Sequence, residues 1–166
     1  HDLYLDKMEK SILNLDKLIQ DIILYSRNSR VEVTKEPMLL SALVNESLED
    51  LKYQAGSDKF IEISNHIPDN LIIDTDKFRL GVILNNLLSN AIRYADPDKA
   101  IAILKISAEE TVDSISINVE DNGIGIGNEY LTDIFKMFFR AHDKKVGTGL
   151  GLYIVKETIL ILKGSI

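Results

Sequence analysis

Apolar residues recur in alternating steps of three and four near the start of the chain, and neither proline nor glycine interrupts the segment 3–29. This spacing is typical of a helix that packs lengthwise against other helices. Further apolar residues widen the stripe, which favours a helical bundle over an ordinary amphipathic surface helix. The residues that set the period are Leu5, Met8, Ile12, Leu15, Ile19 and Ile22.

The helical pattern ends between Arg27 and Pro37, where charged residues and a proline interrupt the periodic apolar positions. We therefore place a domain boundary near residue 30, with one long bundle helix over 1–30 and a globular domain over 31–166. The chain begins with His1 rather than methionine, and we interpret it as part of a longer protein.

The globular domain mixes helical and strand patterns. Its first helix is expected to have Ser41 as N-cap and to stop at Gly56. Because helices and strands do not alternate strictly, we predict an α+β fold: a two-layer sandwich with helices on one face of a mixed sheet, preceded by the long bundle helix. The last two strands should pair antiparallel across the turn at 109–114. Periodicity predicts helices at 41–55, 76–94, 128–139 and 150–163, and strands at 60–64, 71–73, 101–108 and 115–120.

Composition and charge narrow the function classes. The 166 residues carry a formal net charge of −7, which argues against nucleic acid as the main partner, because phosphate-backbone binding needs clustered lysine and arginine. Cysteine is absent, which excludes disulfide frameworks and thiolate metal sites. No apolar run approaches the roughly 18 residues of a membrane span, so we expect a cytoplasmic domain, with any membrane anchor in other parts of a longer parent protein.

A polar face runs along the predicted helix 76–94. Amide carbonyls, a guanidinium and an aromatic ring share this face, and they suit Mg²⁺, phosphates and a base. The simpler interpretation is the solvated side of an amphipathic helix, opposite an apolar band of Leu80, Ile83, Leu84, Leu87, Leu88 and Ala91. The polar residues are Asn86, Asn90, Arg93 and Tyr94.

A glycine-rich segment, Asp121–Gly127, follows a predicted strand. Its Asn122-Gly123 pair is also the strongest short signal for a β-hairpin. The hairpin needs a strand after the turn, however, whereas the next segment has a helical pattern. The additional glycines suit a backbone that approaches a ligand closely, and Asp121 is placed to accept a hydrogen bond from an adenine amino group.

A second glycine-rich segment, Gly147–Leu152, leads directly into the last predicted helix. Bare backbone N–H groups at a helix N-terminus attract phosphate. The alternative is a flexible loop with Thr148 as the N-cap. Neither glycine segment has the spacing of a dinucleotide-binding fingerprint or of a Walker loop.

Together and in this order, these segments resemble the histidine-kinase branch of the ATPase superfamily shared with DNA gyrase and MutL. Asn86–Tyr94 resembles the asparagine box of that family, and Asp121–Gly127 resembles its first glycine box. Ile134–Arg140 resembles the phenylalanine box, and Gly147–Leu152 resembles the second glycine box. Upstream, Leu5–Arg27 resembles the second helix of the dimerisation and phosphotransfer bundle.

The resemblance implies a site for ATP and Mg²⁺. It assigns Mg²⁺ to Asn90, the neighbourhood of the phosphates to Asn86 and Arg93, and the adenine to Tyr94 and Asp121. The two glycine boxes would close on the base, the ribose and the phosphates, under a mobile lid that includes Arg140. No residue is assigned as catalytic. The implied nucleotide-binding residues are Asn86, Asn90, Arg93, Tyr94, Asp121, Gly123, Gly125, Ile126, Phe135, Arg140, Gly147, Thr148, Gly149, Leu150, Gly151 and Leu152.

One position separates the branches of this superfamily. The gyrase, MutL and heat-shock chaperone branches place a glutamate one turn before the magnesium asparagine, as the base for water. This chain has Asn86 there. An amide cannot take a proton from water at neutral pH, so efficient ATP hydrolysis is not expected.

The sequence also departs from the family pattern. His1 opens a segment that begins like the acceptor-histidine motif, but the residues from Tyr4 onward do not continue it, so we expect the acceptor outside this chain. Lys136 and Met137 replace the acidic residue and proline often found in the phenylalanine box. The chain ends at Ile166, before the closing strands that the resemblance implies.

We therefore predict the phosphoryl-donor domain of a sensor histidine kinase. It would transfer the γ-phosphate of ATP to a histidine outside this chain, for relay to a response-regulator aspartate. The expected partners are a second copy, through the N-terminal helix, and a response-regulator receiver domain. The alternative is a nucleotide-sensing dimer module that binds ATP without transferring phosphate.

Overall fold

A computed structural model describes residues 2–55, 61–141 and 147–166. Its helices are α1 (Asp2–Arg30), α2 (Leu40–Ala55), α3 (Lys77–Arg93) and α4 (Gly151–Ile161), with a 3₁₀ helix at Asn128–Tyr130. Its strands are β1 (Glu36–Leu39), β2 (Ile61–His66), β3 (Ile72–Thr75), β4 (Ala102–Glu110) and β5 (Ile115–Asp121).

The chain forms two compact units. The sheet unit is Val33–Gly125, and the helical unit comprises residues up to Glu32 together with Ile126–Ile166. Among the described helices, none combines the length and the apolar character needed to cross a membrane.

Within the sheet unit, β2 pairs in parallel with β4, and β4 pairs antiparallel with β5, so the three strands form a mixed sheet. The register places Leu104 opposite Asp121 and Glu110 opposite Ile115, which confirms the predicted antiparallel pairing. The strands β1 and β3 form a separate antiparallel pair.

The core of the sheet unit lies between α2, α3 and one face of the mixed sheet. Alternate residues of β4 point into it, as expected for a strand with one buried face. This arrangement confirms the predicted α+β fold with helices packed on a mixed sheet. The buried core residues are Leu40, Leu43, Val44, Leu48, Leu51, Ile67, Leu71, Leu80, Leu84, Leu88, Ala91, Leu104, Ile106 and Ala108.

The helix α3 ends within one residue of each bound that its sequence pattern predicts, and the two predicted end residues are its caps. Asp76 is its N-cap, and the carboxylate accepts a hydrogen bond from the backbone N–H of Arg79 at 3.0 Å. This bond satisfies a donor that the helix itself leaves unpaired. Tyr94 is the C-cap, and its N–H donates to the carbonyl of Asn90 at 2.9 Å.

In the helical unit, α1 is one continuous helix, as predicted. Its apolar stripe faces solvent: the periodic residues Leu5, Met8, Ile12, Leu15, Ile19 and Ile22 are between 48% and 64% exposed. A stripe of exposed apolar side chains of this length is unusual on the surface of a monomeric protein.

The predicted helix at 128–139 is wrong. Only Asn128–Tyr130 forms a 3₁₀ helix, and successive turns follow. Several of their hydrogen bonds span three residues, such as Asp133 N–H to Tyr130 carbonyl at 2.8 Å and Lys136 N–H to Asp133 carbonyl at 2.8 Å. Phe138 has a φ of 63°, which a right-handed helix does not allow.

Near α2, one prediction is wrong and one strand was missed. The helix begins at Leu40, so Ser41 lies inside the first turn, and its hydroxyl donates to the Asp69 carbonyl at 3.5 Å instead of capping the helix. The sequence pattern did not predict β1, which contains Pro37. Gly56, the predicted helix stop, lies outside the described residues.

Candidate functional site

The C-terminal end of α3 is joined to the loop after β5 by a backbone hydrogen bond. The N–H of Ile124 donates to the carbonyl of Tyr94 at 3.0 Å. The C-terminal end of the predicted asparagine box is thereby joined to the predicted first glycine box. Asn90, Arg93 and Tyr94 are half-buried at this end of the helix.

Asp121 is the last residue of β5, and its side chain is exposed. One carboxylate oxygen accepts a hydrogen bond from the backbone N–H of Gly123 at 2.7 Å. A carboxylate has more acceptor positions than this one bond uses, so it retains capacity for a donor outside the protein. The bond to the Gly123 N–H orients the carboxylate and therefore also its remaining acceptor positions.

Asn122 holds the same loop to the start of β4, a role that the sequence did not reveal. Its side-chain amide donates to the carbonyl of Ile101 at 3.1 Å, and its side-chain oxygen accepts from the N–H of Ile103 at 2.8 Å. Lys99 adds a bond from its ammonium group to the Asn122 carbonyl. The Asn-Gly pair thus belongs to an anchored loop, and no described strand follows it as a hairpin would require.

The two asparagines of α3 that the sequence assigned to the site, Asn86 and Asn90, differ in how their side chains are engaged. The Asn86 amide donates to the carbonyl of Val82 at 2.8 Å, within its own helix. The side chain of Asn90 is half-buried and has no hydrogen bond to another described residue. An amide oxygen in that state fits a Mg²⁺ ligand, because this cation takes oxygen ligands and keeps several from water and phosphate.

The second predicted glycine box belongs to the helical unit and leads into α4. Gly149 has a φ of 72°, and a Cβ added there would lie 2.7 Å from the backbone carbon of Phe138. Only glycine fits such a position without a shift of the backbone. Leu150 is buried, and α4 begins at Gly151 with backbone N–H groups at its first turn.

Of the remaining predicted nucleotide residues, Gly125 ends the sheet unit with a φ of 70°, and the others lie in the helical unit. Ile126 is exposed, Phe135 and Arg140 are half-buried, and the Lys156 ammonium group lies 5.9 Å from the centre of the Phe135 ring. The predicted lid falls largely on 142–146, outside the described residues.

A polar contact line between α1 and α4 was not predicted from the sequence. The Tyr25 and Tyr153 hydroxyls lie 3.5 Å apart, and the Asn28 amide donates to the Thr158 hydroxyl at 2.7 Å. The hydrogen bond with Tyr25, together with burial and the nearby Glu157 carboxylate, raises the pKa of Tyr153 to about 12. Polar residues on a bundle helix resemble a solvated face, so only the fold reveals their partners.

Comparison with known proteins identifies the family. A family model described as histidine kinase-, DNA gyrase B- and HSP90-like ATPase matches residues 75–166. The hybrid signal transduction histidine kinase B of Dictyostelium discoideum is 31% identical over 98% of this chain and 9% of its own length. The sensor histidine kinase YvrG of Bacillus subtilis is 32% identical over 92% of this chain and 27% of its own length. The chain therefore spans less than a third of either relative.

The solved structure of the Acinetobacter baumannii histidine kinase AdeS has the same fold. It superposes with a TM-score of 0.75 at 26% identity, over 99% of this chain and 76% of that chain. Because the family model also matches more than half of the sequence, the chain belongs to the family of histidine kinase-, DNA gyrase B- and HSP90-like ATPases, with an ATP-binding catalytic domain of the sensor histidine kinase type.

Proposed function

We propose that this chain binds ATP with Mg²⁺ and donates the γ-phosphate to a histidine outside residues 1–166, for relay to an aspartate of a response-regulator receiver domain. The observation that carries the proposal is the joint between α3 and the loop after β5. The Tyr94–Ile124 hydrogen bond joins the C-terminal end of α3, one turn after Asn90, to the loop that follows Asp121. The side chain of Asn90 is half-buried, and the carboxylate of Asp121 is exposed. Both residues belong to the sheet unit. Asn90 offers an oxygen ligand for the Mg²⁺ at the phosphate end of ATP, and Asp121 offers an acceptor for the adenine end.

The residues would act by position and charge. Asp121 would accept a hydrogen bond from the adenine amino group, and Asn90 would ligate Mg²⁺, which offsets the negative charge of the phosphates. In the sheet unit, Arg93 carries a positive charge suited to phosphate. In the helical unit, the backbone N–H groups of the segment 147–151 would hold the phosphates. Transfer then breaks the bond from the γ-phosphorus to the bridging oxygen, forms a phosphorus–nitrogen bond to the imidazole, and leaves ADP.

The environment of Asn86 supports transfer to an external acceptor over hydrolysis. This residue stands one turn before Asn90, and its amide is engaged with the carbonyl of Val82. Neither the amide nor the carbonyl is a base that can activate water. A histidine brings its own nucleophilic nitrogen, so the donor domain needs no such base.

Asp121→Ala should weaken ATP binding by about ten- to a hundred-fold, because a hydrogen bond to a charged group contributes about 1.5–3 kcal/mol. Calorimetric titration of ATP with Mg²⁺ into both chains measures the change. Asp113→Ala is the matched control, since it removes an equally exposed carboxylate in the turn between β4 and β5. Equal affinities in all three chains would contradict the assignment of the adenine acceptor.

Phosphate transfer is tested by mixing the chain with a complete bundle that carries the acceptor histidine and with γ-labelled ATP. We expect label on the bundle, and much less with Asp121→Asn, which exchanges the carboxylate for an amide of the same shape. A chain that binds ATP but gives no label above the Asp121→Asn level would contradict the kinase assignment and favour the nucleotide-sensing module.

The proposal also assigns residues 1–30 to dimerisation and 31–166 to the ATP-binding domain. The exposed apolar stripe of α1 supports a second copy as its partner, because burying the stripe removes apolar area from water. Ile12→Glu should shift the mass measured by light scattering from dimer to monomer. Asn14→Glu adds the same charge at an exposed polar position of α1 and should leave the mass unchanged. A monomeric parent chain would contradict this part of the proposal.

A further inference from the structure

Asp21 is a buried carboxylate on α1, next to apolar residues that face solvent. It is 4% exposed, whereas Ile19, Ile22 and Ile23 around it are 48%, 49% and 62% exposed. Placing a charge out of water is unfavourable unless the group is paired and hydrogen-bonded. The contacts of the Asp21 carboxylate therefore indicate the role of this residue.

The carboxylate of Asp21 has two partners in the helical unit. One oxygen accepts a hydrogen bond from the Thr148 hydroxyl at 2.6 Å, and the other lies 3.2 Å from the Lys17 ammonium group. A hydroxyl-to-carboxylate bond of this length belongs to the strong, charge-assisted class. The Thr148 oxygen in turn accepts from the backbone N–H of Leu150 at 3.3 Å.

These bonds form a relay from α1 into the glycine-rich segment. The hydroxyl of Thr148 can donate to only one group, and Asp21 takes that donation, which fixes the rotamer of the threonine. The fixed oxygen then holds the N–H of Leu150, one residue before α4 begins at Gly151. Backbone groups between Thr148 and Gly151 are thus oriented by a side chain of the bundle helix.

The relay is one of three polar contacts in register. Asp21, Tyr25 and Asn28 follow one another at steps of four and three along α1, so they lie on one helix face. Their partners follow in the same order along the chain: Thr148 in the loop before α4, then Tyr153 and Thr158 within α4. The register holds α1 along α4, so the Asp21 contact does not depend on one long surface side chain.

We propose that Asp21 is a positioning residue for the phosphate-binding glycine segment, so that the bundle helix sets the affinity of the chain for the triphosphate. This inference rests on the proposed function, in which the segment 147–151 holds the phosphates. Lys17 offsets the charge of Asp21, which limits repulsion between the carboxylate and the phosphates. Removing the carboxylate should therefore make the glycine segment less ordered, and it should relieve little electrostatic repulsion of the phosphates.

Titration of ATP and of adenosine, each with Mg²⁺, separates this role from a general effect on stability. Asp21→Ala should weaken ATP binding by about ten-fold, in line with the loss of one charge-assisted hydrogen bond, and should leave adenosine binding unchanged. Asp21→Asn keeps an acceptor oxygen and should retain most of the ATP affinity. Thr148→Val should match Asp21→Ala, and the double variant should show no further loss.

Asp16→Ala is the matched control, because Asp16 lies on the same helix, is exposed, and bonds Gln20 instead of the glycine segment. It should bind ATP as the parent does. Unchanged or tighter ATP binding by Asp21→Ala, or an equal loss for ATP and adenosine, would overturn the inference alone, provided that the parent binds ATP and Asp121→Ala binds it more weakly. A parent chain that fails to bind ATP would overturn the proposed function and this inference with it.

Discussion

Replacing Arg79 with methionine is expected to lower the free energy of unfolding of the sheet unit by about 3–5 kcal/mol, the cost of removing one partner from a buried ion pair. The side chain of Arg79 is 1% exposed, and its guanidinium lies 2.6 Å from a carboxylate oxygen of Asp76. Methionine replaces the aliphatic part of the arginine but leaves the carboxylate of Asp76 buried without its counter-charge.

The loss of stability is expected to be large because Asp76 makes three different interactions. It caps α3 through the N–H of Arg79, it pairs with the guanidinium, and it accepts the backbone N–H of Thr34 at 3.1 Å. The last bond ties the segment after α1 to the helix that carries Asn86 and Asn90. The double variant with Asp76→Asn should recover part of the stability, since asparagine caps helices well and carries no charge.

Urea unfolding followed by circular dichroism measures the change. Lys77→Met is the matched control: its ammonium group pairs with Glu46 at 3.0 Å, but both side chains are more than half exposed. Exposed pairs of this kind contribute at most about 1 kcal/mol. A loss for Arg79→Met no larger than that of Lys77→Met would show that the buried pair does not stabilise α3.

The acid dependence of stability provides a second readout of the same pair. Burial by itself raises the pKa of Asp76, but hydrogen bonds from the Arg79 and Thr34 N–H groups and the Arg79 guanidinium outweigh it and hold the pKa below 3.8. The unfolded chain therefore binds the proton more readily, so Asp76 stabilises the fold above that pH. The contribution is lost as the pH falls through the lowered pKa, and Asp76→Asn should flatten this part of the curve.

The sequence predicts those elements of the fold whose periodicity agrees with their packing. The bounds of α3 and the pairing of β4 with β5 follow from an apolar band at helical spacing and from alternation on both sides of a polar turn. The prediction of a helix at 128–139 was wrong because the apolar residues of this segment suit a helix. The backbone instead forms successive turns and adopts a left-handed conformation at Phe138. Local pattern carries no signal for that reversal.

The candidate site was predicted in part for a related reason. Asp121 and the glycine segments stand out because strand ends and bare backbone have recognisable sequences. The anchoring by Asn122 and the contact from Asp21 to Thr148 join residues far apart in the chain. Such contacts depend on how elements pack, so a single sequence shows the residues but not their partners.

Gly123→Ala is expected to disable the proposed adenine site and to destabilise the sheet unit by about 1–3 kcal/mol, the usual cost of overpacking. A Cβ at this position would lie 2.4 Å from the carbonyl oxygen of Tyr94 and 2.7 Å from a carboxylate oxygen of Asp121. The first atom belongs to the backbone at the end of α3 and cannot swing aside. The loop must therefore move away from the helix, which stretches the Tyr94–Ile124 bond.

The same displacement removes the support of Asp121, because the carboxylate is oriented by the N–H of Gly123 itself. We expect ATP binding to fall by at least ten-fold, through the loss of an oriented acceptor. Gly81→Ala is the matched control: a Cβ there meets nothing within 4 Å, and alanine in the middle of α3 should stabilise the chain by about 0.4–1 kcal/mol. Calorimetric titration of ATP and urea unfolding of both variants test these two expectations. ATP binding unchanged in Gly123→Ala would mean that this loop does not form the adenine site, even if the variant were less stable.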